Sequence, residues 1–509
     1  MTAHGPVEVL DGSELLDTGW RRHPQVALRR EAFGGVAYHY GTRRLSVLRS
    51  PRLADVVACL GDHPSARAAC RAAGVRDAEL PAFARALGAL AGTGMIQALT
   101  GRSAPAPDPA PDPAPDPAPA STPAPTPAPA PARSPGPPPA TLGQQFESGL
   151  AAPICLTWEV TYACNLACRH CLSSSGRRDP AELSTAECFA VVDELERLGV
   201  FYVNIGGGEP TIRADFFDVV EYATSRRLGV KFSTNGMRLT AAVARRLAAS
   251  DYVDVQVSLD GATPGVNDAV RGQGAFRGAL RALALLAEAG CRSVKVSVVV
   301  TRHNVAELDA LEALADRHGA QLRLTRLRPS GRGADVWDEL HPTAEHQRVL
   351  YDWLATRGDR VLTGDSFFHL SAFGPPLPGL NLCGAGRVVC LIDPVGDVYA
   401  CPFTIHDDFR AGNVREVGGF ARIWNESPLF ARLRTPARGG ACGSCGAWGT
   451  CRGGCMAAKF FTGMPVDGPD PECVKGHGAG HAGSPVALGR RPRPAADHSH
   501  RRQAVVARG

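Results

Sequence analysis

Apolar and polar positions change rhythm twice along this chain. Residues 26–29, 35–40 and 44–48 gather Val, Tyr and Leu between the breaks Gly34-Gly35 and Gly41, a pattern that predicts three short strands. Positions 53–60, 66–73 and 80–90 then repeat apolar side chains at helical spacing, and the last run ends before Gly92. Three strands followed by three helices predict a small winged-helix-like α+β module over 1–101. Beyond residue 150 the rhythm becomes an alternation. Strands are predicted at 155–160, 202–205, 230–233, 253–259, 294–300 and 321–327, with helices between them, for example at 186–198, 276–289 and 305–318. Repeated βα units of about thirty residues predict an α/β fold with a parallel sheet and helices outside. Six units over 150–335 make a partial (β/α)6 barrel rather than the closed eight, and in such folds the loops at the strand C-termini carry the site.

The two modules are separated by residues 102–142. Between 105 and 139 proline falls at almost every second position. Repeated proline fixes φ and removes donors, so an extended polyproline II spacer is expected. At about 3.1 Å per residue it reaches on the order of 100 Å. With 509 residues and 44% apolar content the chain can bury cores for two or three domains. The formal charge is +5, yet residues 475–509 alone carry seven Lys/Arg against one acid. That segment is Gly-, His- and Pro-rich and aperiodic, so a disordered basic tail with no specific nucleic-acid partner is expected. No run of eighteen apolar residues occurs, which excludes a membrane-spanning helix as an expectation. Met1-Thr2-Ala3-His4-Gly5-Pro6 shows no basic segment leading into an apolar one, so a cytoplasmic location is expected. Sixteen cysteines in such a chain point to metal or redox chemistry rather than disulfides.

Their spacing sharpens this. Cys164-Asn165-Leu166-Ala167-Cys168-Arg169-His170-Cys171 reads C-x3-C-x2-C and follows the first barrel strand. Three such thiolates can hold three irons of a [4Fe–4S] cubane, which is normally held by four. The fourth iron is then open to a small molecule. Structural zinc is the alternative, but it pairs CxxC with a second pair, and the next cysteine, Cys188, stands alone. Gly206-Gly207-Gly208-Glu209-Pro210 ends the second strand, where bare glycine backbone can approach amino and carboxylate groups. A second array follows: Cys383, Gly396-x4-Cys401, Cys442-x2-Cys445-x5-Cys451-x3-Cys455 and Cys473. Zinc ribbons are the alternative for it. Cys59, Cys70, Cys155, Cys188 and Cys291 have no partners at ligand spacing and are expected to be structural.

The chain resembles the radical S-adenosylmethionine enzymes. The resemblance rests on Cys164/Cys168/Cys171, on the glycine run through Pro210, on Ser233-Thr234-Asn235-Gly236, and on Ser258-Leu259-Asp260-Gly261. It implies S-adenosylmethionine as cofactor and Cys164, Cys168 and Cys171 as the catalytic cluster ligands. Gly206, Gly207, Gly208, Glu209 and Pro210 would form the loop that takes the methionyl amine. Ser258 would touch the methionine or ribose end and Arg271 the carboxylate, with Ser233, Asn235 and Asp260 in the same site. The second array resembles the auxiliary-cluster SPASM extension and places it, with a bridging region, in 336–474. By that resemblance Cys442, Cys445, Cys451 and Cys473 hold one auxiliary cluster, and Cys383, Cys401 and Cys455 another. Cys390 is the expected fourth ligand of the latter, giving three [4Fe–4S] clusters in all.

The stretch from Arg29 to Tyr38 resembles precursor-peptide recognition elements, which hold a leader peptide as an added strand. A tether raises the effective concentration of that peptide at the barrel. Pro153 to Glu159, Phe201 to Pro210, Leu327 to Asp335 and Gly364 to His369 resemble the mycofactocin radical maturases. That resemblance implies a short ribosomal precursor ending in Val-Tyr as partner. It further implies oxidative decarboxylation of the terminal tyrosine, cross-linking to the valine, and an external electron donor. Arg323, Arg326 and Arg328 are candidates for the peptide carboxylate. A thioether- or formylglycine-forming SPASM enzyme is the alternative, although Pro402 follows Cys401 where sulfatase maturases carry an acid. A zinc-ribbon peptide adaptor is the non-enzymatic reading.

Overall fold

A computed structural model describes residues 12–99, 146, 149–363, 367–375, 377, 383–435 and 437–478. The expected polyproline spacer, the tail beyond 478 and Gly364-Asp365-Ser366 lie outside these residues. The chain divides into two units, Met1–Pro139 and Ala140–Gly509.

In the first unit a helix at Gly12–Asp17 precedes β1 (Trp20–Arg22). Then β2 (Val26–Glu31), β3 (Gly34–His39) and β4 (Arg44–Leu48) form an antiparallel meander with Leu28 beside Ala37 and Ala37 beside Ser46. Gly34 is required at its turn: φ is +142°, and a Cβ there would stand 2.1 Å from the Leu48 carbonyl oxygen. Helices Pro51–Cys59, Ala66–Ala72 and Leu80–Gly92 follow; Ser50 and Ser65 cap the first two by accepting from the amides of Leu53 and Ala68. The expected three strands and three helices are present. The opening helix and the ribbon of β1 with β5 (Ile96–Ala98) are additions; three-residue strands are too short for alternation to show. Cys70 lies fully buried in this core, and burial pushes its thiol up to about 11, consistent with a packing role.

The second unit is built on β6 (Cys155–Thr161), β7 (Tyr202–Gly207), β8 (Gly229–Thr234), β9 (Val253–Ser258), β10 (Val294–Val300) and β11 (Gln321–Arg326), parallel neighbours in sequence order. The six-unit partial barrel is therefore observed. Beyond β6 the sheet continues through β12 (Leu391–Ile392), parallel to β6, into β13 (Asp397–Tyr399) and β14 (Arg410–Asn413), both antiparallel. The auxiliary-cysteine segment thus extends the barrel sheet.

Side chains alternate sharply on β6–β11. Leu156, Trp158, Val203, Phe232, Val257 and Val298 are wholly buried under the outer helices. The opposite set is polar and faces a cavity of about 690 Å³. Register stacks this inner set in layers: Thr157 beside Asn204 beside Lys231; Ser233 beside Gln256 beside Lys295; and Ser258 beside Ser297 beside Arg323. The interior is a lined chamber rather than a packed core.

Candidate functional site

The loop after β6 is stapled at its base: Cys164 N donates to Gly176 O at 3.0 Å and Gly176 N to Tyr162 O at 2.8 Å. Its far side is held from the segment after β11. Arg332 Nε donates to Cys168 O at 2.8 Å, Arg332 Nη1 to Ser175 O at 3.0 Å, and Arg332 N to Cys171 O at 3.0 Å. The result presents Cys164, Cys168 and Cys171 together on the cavity. Burial raises the thiols of Cys164 and Cys168.

Between the second and third thiolates, His170 is 8% exposed and its Nε2 lies 2.5 Å from Asp260 Oδ2. Asp260 Oδ2 also forms an ion pair with Arg271, 2.7 Å from its Nε, and its Oδ1 accepts from Val299 N at 2.7 Å. Against the upward pull of burial, Arg271 and His170 hold the Asp260 carboxyl well below the usual carboxylate range. Asp260 itself does not reach the cavity wall; it fixes two side chains that do.

The glycine run turns sharply under this loop. Gly207 has φ +101°, and a Cβ on Gly208 would stand 1.9 Å from the Ala163 carbonyl oxygen, whereas one on Gly206 would meet nothing within 4 Å. Gly208 is therefore bare to let the two loops touch, and Gly206 leaves open space for a ligand. Glu209 accepts from Thr211 Oγ1 at 2.6 Å, Thr234 Oγ1 at 2.9 Å and Asn235 N at 2.8 Å, tying the ends of β7 and β8. Asn235 Nδ2 in turn donates to Asn165 Oδ1 at 2.8 Å. Of the ten residues expected at the cofactor, Gly206, Gly207, Gly208, Glu209, Ser233, Asn235, Ser258 and Arg271 line the cavity, while Pro210 and Asp260 lie behind it.

Cys383, Cys401 and Cys455 open onto the same cavity from the C-terminal segments. Burial raises the Cys401 thiol to about 12, with Cys383 and Cys455 adding to the rise. Cys442 stands near Cys445 and Cys473, and Cys451 near Cys442 and Cys473, and none of the four lines that cavity. Cys390 is not brought to the cavity. It stands one residue before Leu391, which pairs with the inward-facing Thr157; alternation turns Cys390 to the opposite face, where it is fully buried with Leu156 and Trp158. Cys155, expected to be structural, does open on the cavity, at its β6 end.

Arg326 was a candidate for the peptide carboxylate, and the structure commits it elsewhere. Its Nη1 and Nη2 donate to Asp470 Oδ2 and Oδ1 at 2.8 and 2.5 Å, and its Nε bonds Glu472. Asp470 Oδ2 also accepts from Cys455 N at 2.7 Å. This buried clasp joins the end of β11 to the segments carrying Cys455 and Cys473. Neither it nor Arg332 was identified from sequence, because their partners lie about 140 to 160 residues away.

Comparison with known proteins agrees with this geometry. Residues 19–97 match the Peptide chaperone MftB family, residues 158–315 the Radical SAM superfamily, and residues 383–446 the SPASM iron-sulfur cluster-binding domain. The chain is 68% identical over 367 residues to mycofactocin maturase MftC of Mycolicibacterium smegmatis, covering 71% of this chain and 92% of that protein. It is 67% identical over 371 residues to mycofactocin maturase MftC of Mycobacterium tuberculosis, covering 72% and 93%. The crystal structure of Streptococcus suis SuiB bound to S-adenosylmethionine shares the fold at TM-score 0.61 and 16% identity, covering 89% of this chain and 99% of that one. Among the described residues no helix is long and apolar enough to cross a membrane. A cysteine loop and a glycine cradle that face one chamber, with near-complete coverage of two close relatives, establish that the chain belongs to the mycofactocin maturase family of radical SAM enzymes with a SPASM iron–sulfur domain, and it carries an MftB-type peptide chaperone module at its N-terminal side.

Proposed function

We propose that the chain oxidatively decarboxylates the C-terminal tyrosine of a ribosomal precursor peptide ending in Val-Tyr and then cross-links the residue to the preceding valine. The observation that carries this is the single chamber faced by Cys164, Cys168 and Cys171, by the Gly206–Gly208 backbone and by Cys383, Cys401 and Cys455. Three thiolates on a buttressed loop fit a cluster with one open iron, and the open space at Gly206 fits the cofactor that would chelate it. When bound, these groups supply the electron and the alkyl radical needed to remove hydrogen from an unactivated C–H bond. The protein's own contribution is placement. Ser233, Asn235 and Ser258 line the cavity at the ends of β8 and β9, where they would hold the cofactor, and Asp260 fixes Arg271 and His170 on the same cavity.

Cys442, Cys445, Cys451 and Cys473 serve one auxiliary cluster, and Cys383, Cys401 and Cys455 the other, three clusters in total. An unidentified cytoplasmic donor provides electrons. Cys390 lies on the face of Leu156 and Trp158, behind the cavity that Cys383, Cys401 and Cys455 line, so Cys390→Ala should retain iron and acid-labile sulfide within about 10% of the parent protein. Loss of about four irons would restore Cys390 as a ligand. The N-terminal module delivers the precursor by strand addition to its meander, whose β2 and β4 each pair on one side only among the described residues.

The reaction is tested by incubating the anaerobically reconstituted chain with S-adenosylmethionine, reductant and a Val-Tyr-ending precursor. Mass spectrometry should show loss of one carbon dioxide and two hydrogens. An unchanged peptide alongside 5′-deoxyadenosine formation would reject this assignment.

A further inference from the structure

We propose that the apolar end of the chamber, formed by Phe368, Val388, Val389, Phe403 and Met456, takes the aromatic side chain of the precursor's terminal residue and selects that residue by its ring; this rests on the peptide-maturase reading above.

The chamber has two unlike sides. Strands β6 to β9 and the loops that follow them carry the residues assigned to the cofactor, and the inward side chains there, among them Thr157, Asn204, Ser233, Gln256 and Ser258, are polar. The segments beyond the barrel strands instead give the chamber Phe368, Val388, Val389, Phe403 and Met456. Packing joins these into one end. Phe368 and Cys455 belong to a single buried cluster, and Cys383 and Phe403 pack against it. Val388 and Val389 stand beside the residue after Cys383, since a Cβ on Gly384 would lie 2.4 Å from Val388 Cγ2 and 3.5 Å from Val389 Cγ2. Met456 directly follows Cys455.

The chemistry of this end suits a ring. Phe403 and Val389 are only partly buried although both line the chamber, so apolar surface is left facing its open space. Such surface is stabilised by an apolar occupant. Phe403 is held in place, because the Arg328 guanidinium lies over its ring, 3.9 Å from the centre. An aromatic occupant meets Phe368 and Phe403 edge-on or offset, the arrangements in which rings attract. A peptide amide or a carboxylate brought to the same place loses its hydrogen bonds to water and gains none from these five side chains. In a peptide ending in Val-Tyr the matching group is the tyrosine ring, an apolar body with a single polar tip. Valine is apolar as well but offers two phenylalanines no ring. Once the ring is seated beside Cys383 and Cys455, the carbon that bears it is fixed in the same chamber as Cys164, Cys168 and Cys171. Selection of this kind reads the side chain of the last residue.

The test uses three leader-free hexapeptides, ending in Val-Tyr, Val-Phe and Val-Ala. Each is titrated into the fully reconstituted chain with S-adenosylhomocysteine in place of the cofactor, so that nothing turns over. Val-Tyr should bind at least about tenfold more tightly than Val-Ala, and Val-Phe within about threefold of Val-Tyr, because the five side chains meet the ring and not the hydroxyl. Phe403→Ala should bring the Tyr-to-Ala ratio down to about two, and Val389→Trp, which fills the apolar end, to about one with Val-Ala binding retained. Phe403→Leu should keep part of the ratio. Iron and sulfide contents report that each variant is folded and loaded. Phe403 is two residues from Cys401, so Val389→Trp decides the test if Phe403→Ala loses iron. No measurable binding of Val-Tyr, a Val-Tyr or Val-Phe peptide no tighter than Val-Ala, or a ratio unchanged in Val389→Trp overturns the proposal. Failure of the maturase reading is separate: the parent chain would leave the precursor's mass unchanged while the ring-dependent ratio remained.

Discussion

Cys164→Ala will abolish both peptide modification and 5′-deoxyadenosine release, and will remove about four irons per chain. The expectation follows from the count of ligands. The loop supplies three thiolates, and two cannot hold a cubane against solvent and still leave one iron for the cofactor. The effect is confined to chemistry, because Cys164 is a half-buried loop residue and its backbone, not its thiol, makes the bond to Gly176. Its removal should therefore cost under about 1 kcal/mol of fold stability. Iron and sulfide analysis, quantitation of 5′-deoxyadenosine and a denaturant titration of the metal-free chain give the three readings. Retention of cofactor cleavage in Cys164→Ala would show that the open-iron site lies elsewhere.

Asp470→Ala will have the largest effect on stability, about 3 kcal/mol, the low end for breaking a buried pair, because the Arg326 guanidinium loses its bidentate partner and keeps Glu472 as its remaining carboxylate. It also strips the acceptor from Cys455 N, so iron loading of the auxiliary set should fall along with the unfolding midpoint. The triple variant Arg326→Met/Asp470→Leu/Glu472→Gln should recover part of the lost stability, since exchanging a buried charged cluster for neutral groups of similar volume is often neutral, whereas Arg326→Met/Asp470→Leu alone strands the Glu472 carboxylate. A triple variant as unstable as Asp470→Ala would mean that the Asp470 carboxylate acts through Cys455 alone. The pH dependence has a definite sign. Although burial pulls it up, Arg326 holds the Asp470 carboxyl far below its unfolded value, so its contribution is present at neutral pH. That contribution is lost only as the solution falls through strongly acid pH.

The sequence made the periodic parts of this molecule legible. Each of the six barrel strands carries enough alternating positions to be seen, and the cysteine and glycine runs are local motifs that need no tertiary knowledge. What escaped was either short or distant. Strands β12 to β14 have two to four residues, too few for a period. In sequence Arg326 reads as a candidate for the peptide carboxylate and Arg332 has no assigned role, and only the returning chain shows that Arg332 grips the cysteine loop and Arg326 a pair of acids. Cys390 illustrates a different limit. Spacing alone placed it with Cys383, whereas its face is decided by register against β6, which no linear count reveals.

The grip of Arg332 on the cysteine loop also sets an order of events during synthesis. Cys168 and Arg332 are 164 positions apart, and the loop's outer half rests on residues that emerge from the ribosome only after all six barrel strands, β6 to β11, have been made. While the chain is still growing, the three thiols sit on an unbuttressed strand end. Their final arrangement arrives only with the last turn of the barrel, once Arg332 has been made and can reach back to the carbonyls of Cys168, Cys171 and Ser175.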